Sequence, residues 1–194
     1  MTTKLSRFAH LRMKRFAIFL TFWIAPVLVF AGTFQAFTLS KDRAKLVIKT
    51  SDGTPIEAHK YVDQVGFSDP RISADGNKVG WLAMYPNCCT SYPIPLSLVV
   101  MDASRQLHRF DGIKLAVFEW CFLPNSAEVA FTQTTVHGSN FQHFERRAIA
   151  DEKLLAQYEY PHEDDENALA RKRAPKWVHC VPELFPVDAK SLGR

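Results

Sequence analysis

The sequence predicts a mainly β protein made of antiparallel sheets, with a hydrophobic helix ahead of them and a short helix behind. Two observations carry that expectation. From Asp69 onward, short runs rich in Val, Leu and aromatic residues alternate with turn signals such as Ala74-Asp75-Gly76-Asn77 and Asp102-Ala103-Ser104-Arg105, the pattern of strands joined by hairpins. The same order of events then recurs. Ile72–Trp81 (ISADGNKVGW) aligns with Phe122–Phe131 (FLPNSAEVAF) at an offset of 50, and Ala103–Leu107 (ASRQL) aligns with Ala150–Leu154 (ADEKL) at an offset of 47. Each unit supplies two strands around an acidic or Asn-containing turn, a variable loop and a hairpin, which amounts to one four-stranded antiparallel sheet.

The chain opens with residues 1–37, where Lys4, Arg7, Arg12, Lys14 and Arg15 precede 22 uncharged residues, Phe16–Phe37. A basic segment before an apolar run is the grammar of an export signal, with the positive flank left in the cytoplasm. The uncharged run is long enough to span ~30 Å of hydrocarbon, while Val29-Phe30-Ala31 offers small residues to a signal peptidase. A cleaved signal and a retained membrane anchor over residues 16–37 both stay open. In either case the remainder is expected beyond the bacterial inner membrane, in the periplasm or anchored facing it. This segment also explains the net charge. Five of the 24 basic residues lie before Phe16, leaving 19 against 20 acids, so the basic balance is no footprint for nucleic acid.

Residues 38–160 are expected to form one β domain. An extended lead-in contains the strand-like Lys45–Lys49 and the turn Ser51-Asp52-Gly53-Thr54-Pro55, and the two recurring units follow. Residues 161–194 differ in kind. Pro161 precedes acids at 163–166 and bases at Arg171, Lys172 and Arg173, a charge order that complements a helix dipole, and Pro175 ends the helix. The apolar Trp177, Val178, Val181, Leu184 and Phe185 are then placed to dock on the sheet.

The motif Pro70-x-x-Ser73-x-Asp75-Gly76-x-x-Val79-x-Trp81, followed by Val99-Val100-Met101-Asp102-Ala103-Ser104-x-x-Leu107, resembles the WD40-like repeats of bacterial exported β-propellers, such as the periplasmic propeller of the Tol-Pal system. The resemblance implies that Ser73, Asp75 and Gly76 form the turn between two strands, and that the second motif is the hairpin of the outer strands. It covers residues 69–160, about two blades, with Pro124-Asn125-Ser126 standing where Ala74-Asp75-Gly76 does in the first unit. The whole chain is also similar to small uncharacterised exported bacterial proteins, which implies no activity. A propeller ring takes roughly 4 to 8 blades, so two cannot close one. Either the lead-in and tail complete a small sandwich, or the sheets associate with another copy, as a homodimer, or with another protein through a strand edge.

Export permits disulfides, and four cysteines can pair in three ways. With the two units laid side by side, Cys88 and Cys89 follow the second strand of unit one and Cys121 directly precedes the strand expected to begin at Phe122 in unit two, at opposite ends of parallel-running strands. A strand of five or six residues runs ~17–20 Å, beyond the ~7 Å Cα limit for a disulfide. The expected pairs are therefore Cys88–Cys89 and Cys121–Cys180. A structural turn is the simplest role for the cysteine loop. The alternative is a binding platform in which Tyr85 and Tyr92 flank Cys88 and Cys89, with His137 and His143 from the corresponding loop of unit two completing a polar rim. Adjacent cysteines cannot readily chelate one tetrahedral ion, and no second Cys-x-x-Cys exists, so neither metal nor cofactor is expected.

No Gly-x-Ser-x-Gly, His-Glu-x-x-His or glycine-rich phosphate loop occurs, and no catalytic residue is assigned. The expected function is a non-catalytic extracytoplasmic interaction module for a protein or an envelope glycan. The alternative is a small periplasmic thiol-redox or hydrolytic enzyme using the Cys88–Cys89 loop.

Overall fold

The computed structural model describes residues 33–88, 91–113, 115–136, 141–160 and 171–182. Over these residues the fold is mainly β, with three antiparallel sheets. Strands β1 (Phe34–Leu39), β2 (Leu46–Thr50) and β3 (Pro55–Glu57) form the first sheet. The second is β4 (Gly66–Ile72), β5 (Lys78–Tyr85), β6 (Ile94–Asp102) and β7 (Leu107–Asp111), and the third is β8 (Ala116–Phe122), β9 (Glu128–Thr134), β10 (Gln142–Ala148) and β11 (Leu154–Tyr160), each in sequential order. The turn joining β4 to β5 closes with Ser73 N donating to Lys78 O at 2.9 Å, and that joining β8 to β9 closes with Leu123 N donating to Glu128 O at 3.0 Å. These are the two turns that the 50-residue offset relates. Each unit of the repeat is thus one four-stranded sheet.

The lead-in is more than an extended segment. Ser40 and Asp42 build the same turn as Ser73 and Asp75: Ser40 Oγ donates to Asp42 Oδ1 at 2.6 Å while accepting from Lys45 N at 2.9 Å, as Ser73 Oγ does with Asp75 at 2.6 Å and Lys78 N at 2.9 Å. In both turns the serine and aspartate side chains bond the local backbone and so hold the turn closed. Arg43 takes the left-handed position (φ 58°) that Gly76 takes (φ 69°) in the second sheet. A third, shorter sheet therefore precedes the two units. The first strand, Phe34–Leu39, overlaps the end of the uncharged run, so a boundary at 37/38 falls inside this sheet. The rest of the expected signal or anchor, and residues 161–170 of the expected helix, lie outside the described residues. Residues 171–173 are helical. No helix among the described residues is long and apolar enough to cross a membrane.

The sheets pack face to face rather than side by side, because the middle strands are apolar on both faces. In β5, Val79, Trp81, Ala83 and Tyr85 join Phe34, Leu46 and Ile48 of the first sheet in one core, whereas Leu82 joins Val117, Trp120 and Phe131 of the third sheet in another. Near-continuous burial of β5 and β6 follows, since a strand sandwiched on both sides loses the polar alternation of a one-faced sheet. The third sheet turns Ala130, Phe144 and Tyr160 outward, and the tail covers them with Val178 and Val181. Trp81 and Trp120 are fully enclosed. At ~25 cal/mol per Å² and roughly 200 Å² each, their burial contributes about 5 kcal/mol apiece.

Gly80 shows how closely the second and third sheets approach. A Cβ there would stand 2.6 Å from Trp120 Cη2 and 3.2 Å from Val99 O, and the indole is held in place by its Nε1 donating to Asp69 O at 3.1 Å. Gly80→Ala should therefore destabilise the domain by about 1–3 kcal/mol through overpacking, read as a lower urea midpoint. The companion change Gly53→Ala meets no atom within 4 Å but sits at φ 82°, so its cost is a backbone cost that no neighbouring truncation relieves. Trp120→Phe, in contrast, should recover part of the Gly80→Ala loss.

Candidate functional site

Two recesses lie at opposite ends of the strands. One is at the loop end, where the connections β5–β6, β7–β8 and β9–β10 meet. It is lined by Ile94, Leu96, Leu115, Ala116 and Val136, with the Arg109–Asp111 ion pair (2.7 Å) on its rim, and encloses about 510 Å³. Around it Tyr92, Leu96 and Ile113 are exposed. A β-bulge explains Leu96. Ala83 pairs with Ser97 and Met84 with Pro95, leaving Leu96 as the extra residue, which turns its side chain off the sheet and into solvent. Gly112 N donates to Leu96 O at 3.1 Å and Ile113 N to Gln133 Oε1 at 2.6 Å, so both apolar positions sit on fixed backbone.

The residues singled out from the sequence separate here. Cys88 and Tyr92 are exposed at the loop end. Cys89 and His137 lie outside the described residues, and with Cys89 lies the expected Cys88–Cys89 pair. Tyr85 points the other way, into the core between the first and second sheets, with the Arg109 guanidinium 5.9 Å from its ring centre. Its position in the alternation of β5, on the face of Trp81 and Ala83, removes it from the rim. His143 is in strand β10, buried, with Nε2 3.2 Å from Glu145 Oε1 and Nδ1 2.9 Å from Glu159 Oε1. Glu145 is fully enclosed and also accepts from Arg147 Nε at 2.5 Å. His143 therefore holds a buried carboxylate in place and takes no part in a loop rim. Gln133 was not anticipated either. It faces His143 across the β9–β10 ladder, and the clue to its burial was its place on the face of β9 that carries Val129 and Phe131.

The other recess is at the turn end. It is open, about 950 Å³, and lies between the β8–β9 turn, β10 and the tail, with Arg71, Asn125, Glu128, Arg146, Lys176 and Trp177 among its walls. Cys121 and Cys180 are joined there by a disulfide with Cα atoms 6.0 Å apart, a bridge that accords with an oxidising compartment. Beside it Arg71 is clamped between the sheets, donating to Asp69 at 2.6 Å and to the Trp120 carbonyl, with its guanidinium 5.3 Å from the Trp120 ring centre. Glu119 completes the cluster, 3.4 Å from Arg71. Burial pushes the Glu119 carboxyl above the usual range, the neighbouring Asp69 adds to this, and Arg71 only partly offsets both. Among the described residues no group of three His, Cys, Asp or Glu side chains could hold a metal ion.

No known protein family matches the chain, and no curated protein does. Among solved structures, an acylaminoacyl peptidase from Pyrococcus horikoshii is similar at 15% identity and a TM-score of 0.42, over 67% of this chain and 25% of the peptidase. The tricorn protease is similar at 10% identity and a TM-score of 0.42, over 58% of this chain and 13% of that one. The chain thus spans about a quarter of the peptidase and less of the tricorn protease.

Two outcomes follow from the turn end. Cys180→Ser should free the tail from the third sheet and lower stability by about 2–5 kcal/mol, measured by urea unfolding without reductant, whereas the same substitution measured in reductant should cost little. Glu119 sets a pH dependence. Its raised folded-state pKa means that its favourable contribution is complete below the ordinary glutamate value and is lost as pH rises through the folded value. Glu119→Gln should therefore gain on the wild type in urea midpoint as pH rises from about 4 to 7. A variant that instead falls further behind with rising pH would mean that pairing with Arg71 dominates.

Proposed function

We propose that the protein is a non-catalytic extracytoplasmic interaction module that binds a protein partner of the envelope through its loop end. The observation that carries this is the apolar surface there. Leu96 is exposed on the wall of a recess also lined by Ile94, Leu115 and Val136, and Tyr92 and Ile113 are exposed within two residues of its walls; exposed apolar surface with a polar rim is typical of contact sites. The bulge that turns Leu96 outward leaves an apolar side chain in solvent, which the fold itself does not require. In this reading the two four-stranded sheets are propeller-like blades, and their variable loops serve as the contact surface, as loops on a rigid scaffold commonly do. The basic-then-apolar N-terminus and the disulfide support placement outside the cytoplasm, with the uncharged residues ahead of β1 as signal or anchor.

The test is photo-crosslinking in living cells. A photoreactive phenylalanine analogue replacing Leu96 or Ile113 should give a discrete adduct with an envelope protein, while the same analogue replacing the exposed Lys49 of the first sheet should not. Leu96→Asp combined with Ile113→Asp should abolish capture of that protein and leave the free energy of urea unfolding within about 0.5 kcal/mol of the wild type, as expected of exposed positions. Adducts from Lys49 alone, or none from the loop end, would remove this function.

A further inference from the structure

We propose that the turn-end recess is a second binding site, for an anionic saccharide of the uronate type, independent of the loop-end contact surface. The recess is large enough for two or three sugar rings, and its walls combine an aromatic side chain with polar groups in the way that saccharide recognition requires. Trp177 is half-buried and lines it, leaving an indole surface for the apolar face of a ring. Asn125 and Glu128, themselves hydrogen-bonded to one another at 3.1 Å, offer paired donor and acceptor groups for hydroxyls.

The charge identifies the class. Arg71, Arg146 and Lys176 line the recess against Glu128, in an exported portion that is otherwise near neutral, with 19 bases and 20 acids. Arg71 is committed to Asp69 and Glu119, so Arg146 and Lys176 are the groups available to a ligand. Glu128 Oε2 stands 3.4 Å from Arg146 Nε, yet that enclosed Nε–H finds no hydrogen-bond acceptor among the described residues. A guanidinium whose ion pair with Glu128 lacks hydrogen-bond geometry, and an exposed ammonium lining the same recess, suit a carboxylate.

The same geometry disfavours an extended acidic peptide. Such a peptide gains affinity by adding to a strand edge, and the edge here is β8, whose Trp120 carbonyl already accepts from Arg71 and whose end is tied to the tail through Cys121 and Cys180. Recognition therefore falls to side chains, which favours a ligand rich in hydroxyls and a ring face.

The purified full-length chain should bind trigalacturonate with a Kd of about 1 mM or tighter by titration calorimetry. Saturation-transfer NMR should show sugar-ring protons against an indole. Binding should weaken as salt increases, and maltotriose, which lacks carboxylates, should bind at least about ten-fold more weakly. Lys176→Gln and Arg146→Gln should each weaken trigalacturonate by about ten-fold, the loss expected for one hydrogen bond to a charged group. The exposed Lys176 serves as the control for folding should Arg146→Gln lower the urea midpoint. Leu96→Asp should leave this binding unchanged, so that failure here and failure of the loop-end reading are told apart. Absence of binding, equal binding of maltotriose, or binding indifferent to Lys176→Gln would overturn the proposal. Tighter binding of tetraglutamate would overturn it in favour of an acidic peptide.

Discussion

The joint at Trp120 is the contact on which the rest depends. A tryptophan from the third sheet fills the space left by Gly80 in the second, its Nε1 donates to the Asp69 carbonyl at 3.1 Å, and Arg71 covers the ring while donating to the Trp120 carbonyl. The geometry of β4 makes this possible. Asp69 and Pro70 stand opposite the single residue Trp81, between the pairs Ser68–Leu82 and Arg71–Gly80, and Asp69 has φ 47°. Such a bulge bends the strand and redirects its side chains and carbonyls, here towards the neighbouring sheet. Both recesses draw their walls from the second and third sheets, so the spacing fixed by this joint sets the width of each.

The polar contacts along the outer rim reinforce the same interface. Glu145 is enclosed between His143 and Arg147. Arg147 NH1 donates to the Glu152 carbonyl at 3.1 Å, and the Glu152 carboxylate accepts from Arg109 N of the second sheet at 3.2 Å. A buried carboxylate held by two partners adds little net stability relative to an apolar pair, but removing one partner is costly. Both of its partners lie on β10, so it orders that strand's side chains, while the bond from Arg109 N to Glu152 is what ties the third sheet to the second. His108 extends the arrangement, lying buried with Nε2 3.4 Å from Asp102 Oδ2.

The parts of the fold that were legible in the sequence are those written as local turn chemistry. Ser73-x-Asp75-Gly76 and Leu123-Pro124-Asn125-Ser126 announce hairpins because they carry turn residues, and their 50-residue spacing locates two sheets. In the first sheet the strand at Lys45–Lys49 and the turn after it were legible, but the opening hairpin was missed because its turn, Ser40-Lys41-Asp42-Arg43, contains neither Gly nor Pro and places an arginine at positive φ, which only the completed hydrogen bonds of Ser40 and Asp42 justify. At the sites, loop membership was a poorer guide than strand alternation. Tyr85 ends β5 on the face of Val79 and Trp81, and His143 alternates with Glu145 and Arg147 along β10. The two recesses were not legible at all. Each depends on which faces of separate sheets meet, and strand spacing alone does not encode that.

The strand edges bear on where a partner can attach. Open edges invite pairing, yet each outer edge here carries a device against it. β3 is three residues long and begins with Pro55. β4 contains Pro70, which has no N–H, and β7 has the N–H of Arg109 taken by Glu152. Extra residues interrupt the ladders joining β1 to β2 and β10 to β11, and β8 is occupied by Arg71 and the tail. On the third sheet, the tail also covers the face where a further sheet would stack, through Val178 and Val181. With edges blunted and that face covered, stacking of a further sheet on the third sheet is opposed. At the two ends of the strands, loops and turns hold exposed apolar groups at one end and charged side chains at the other.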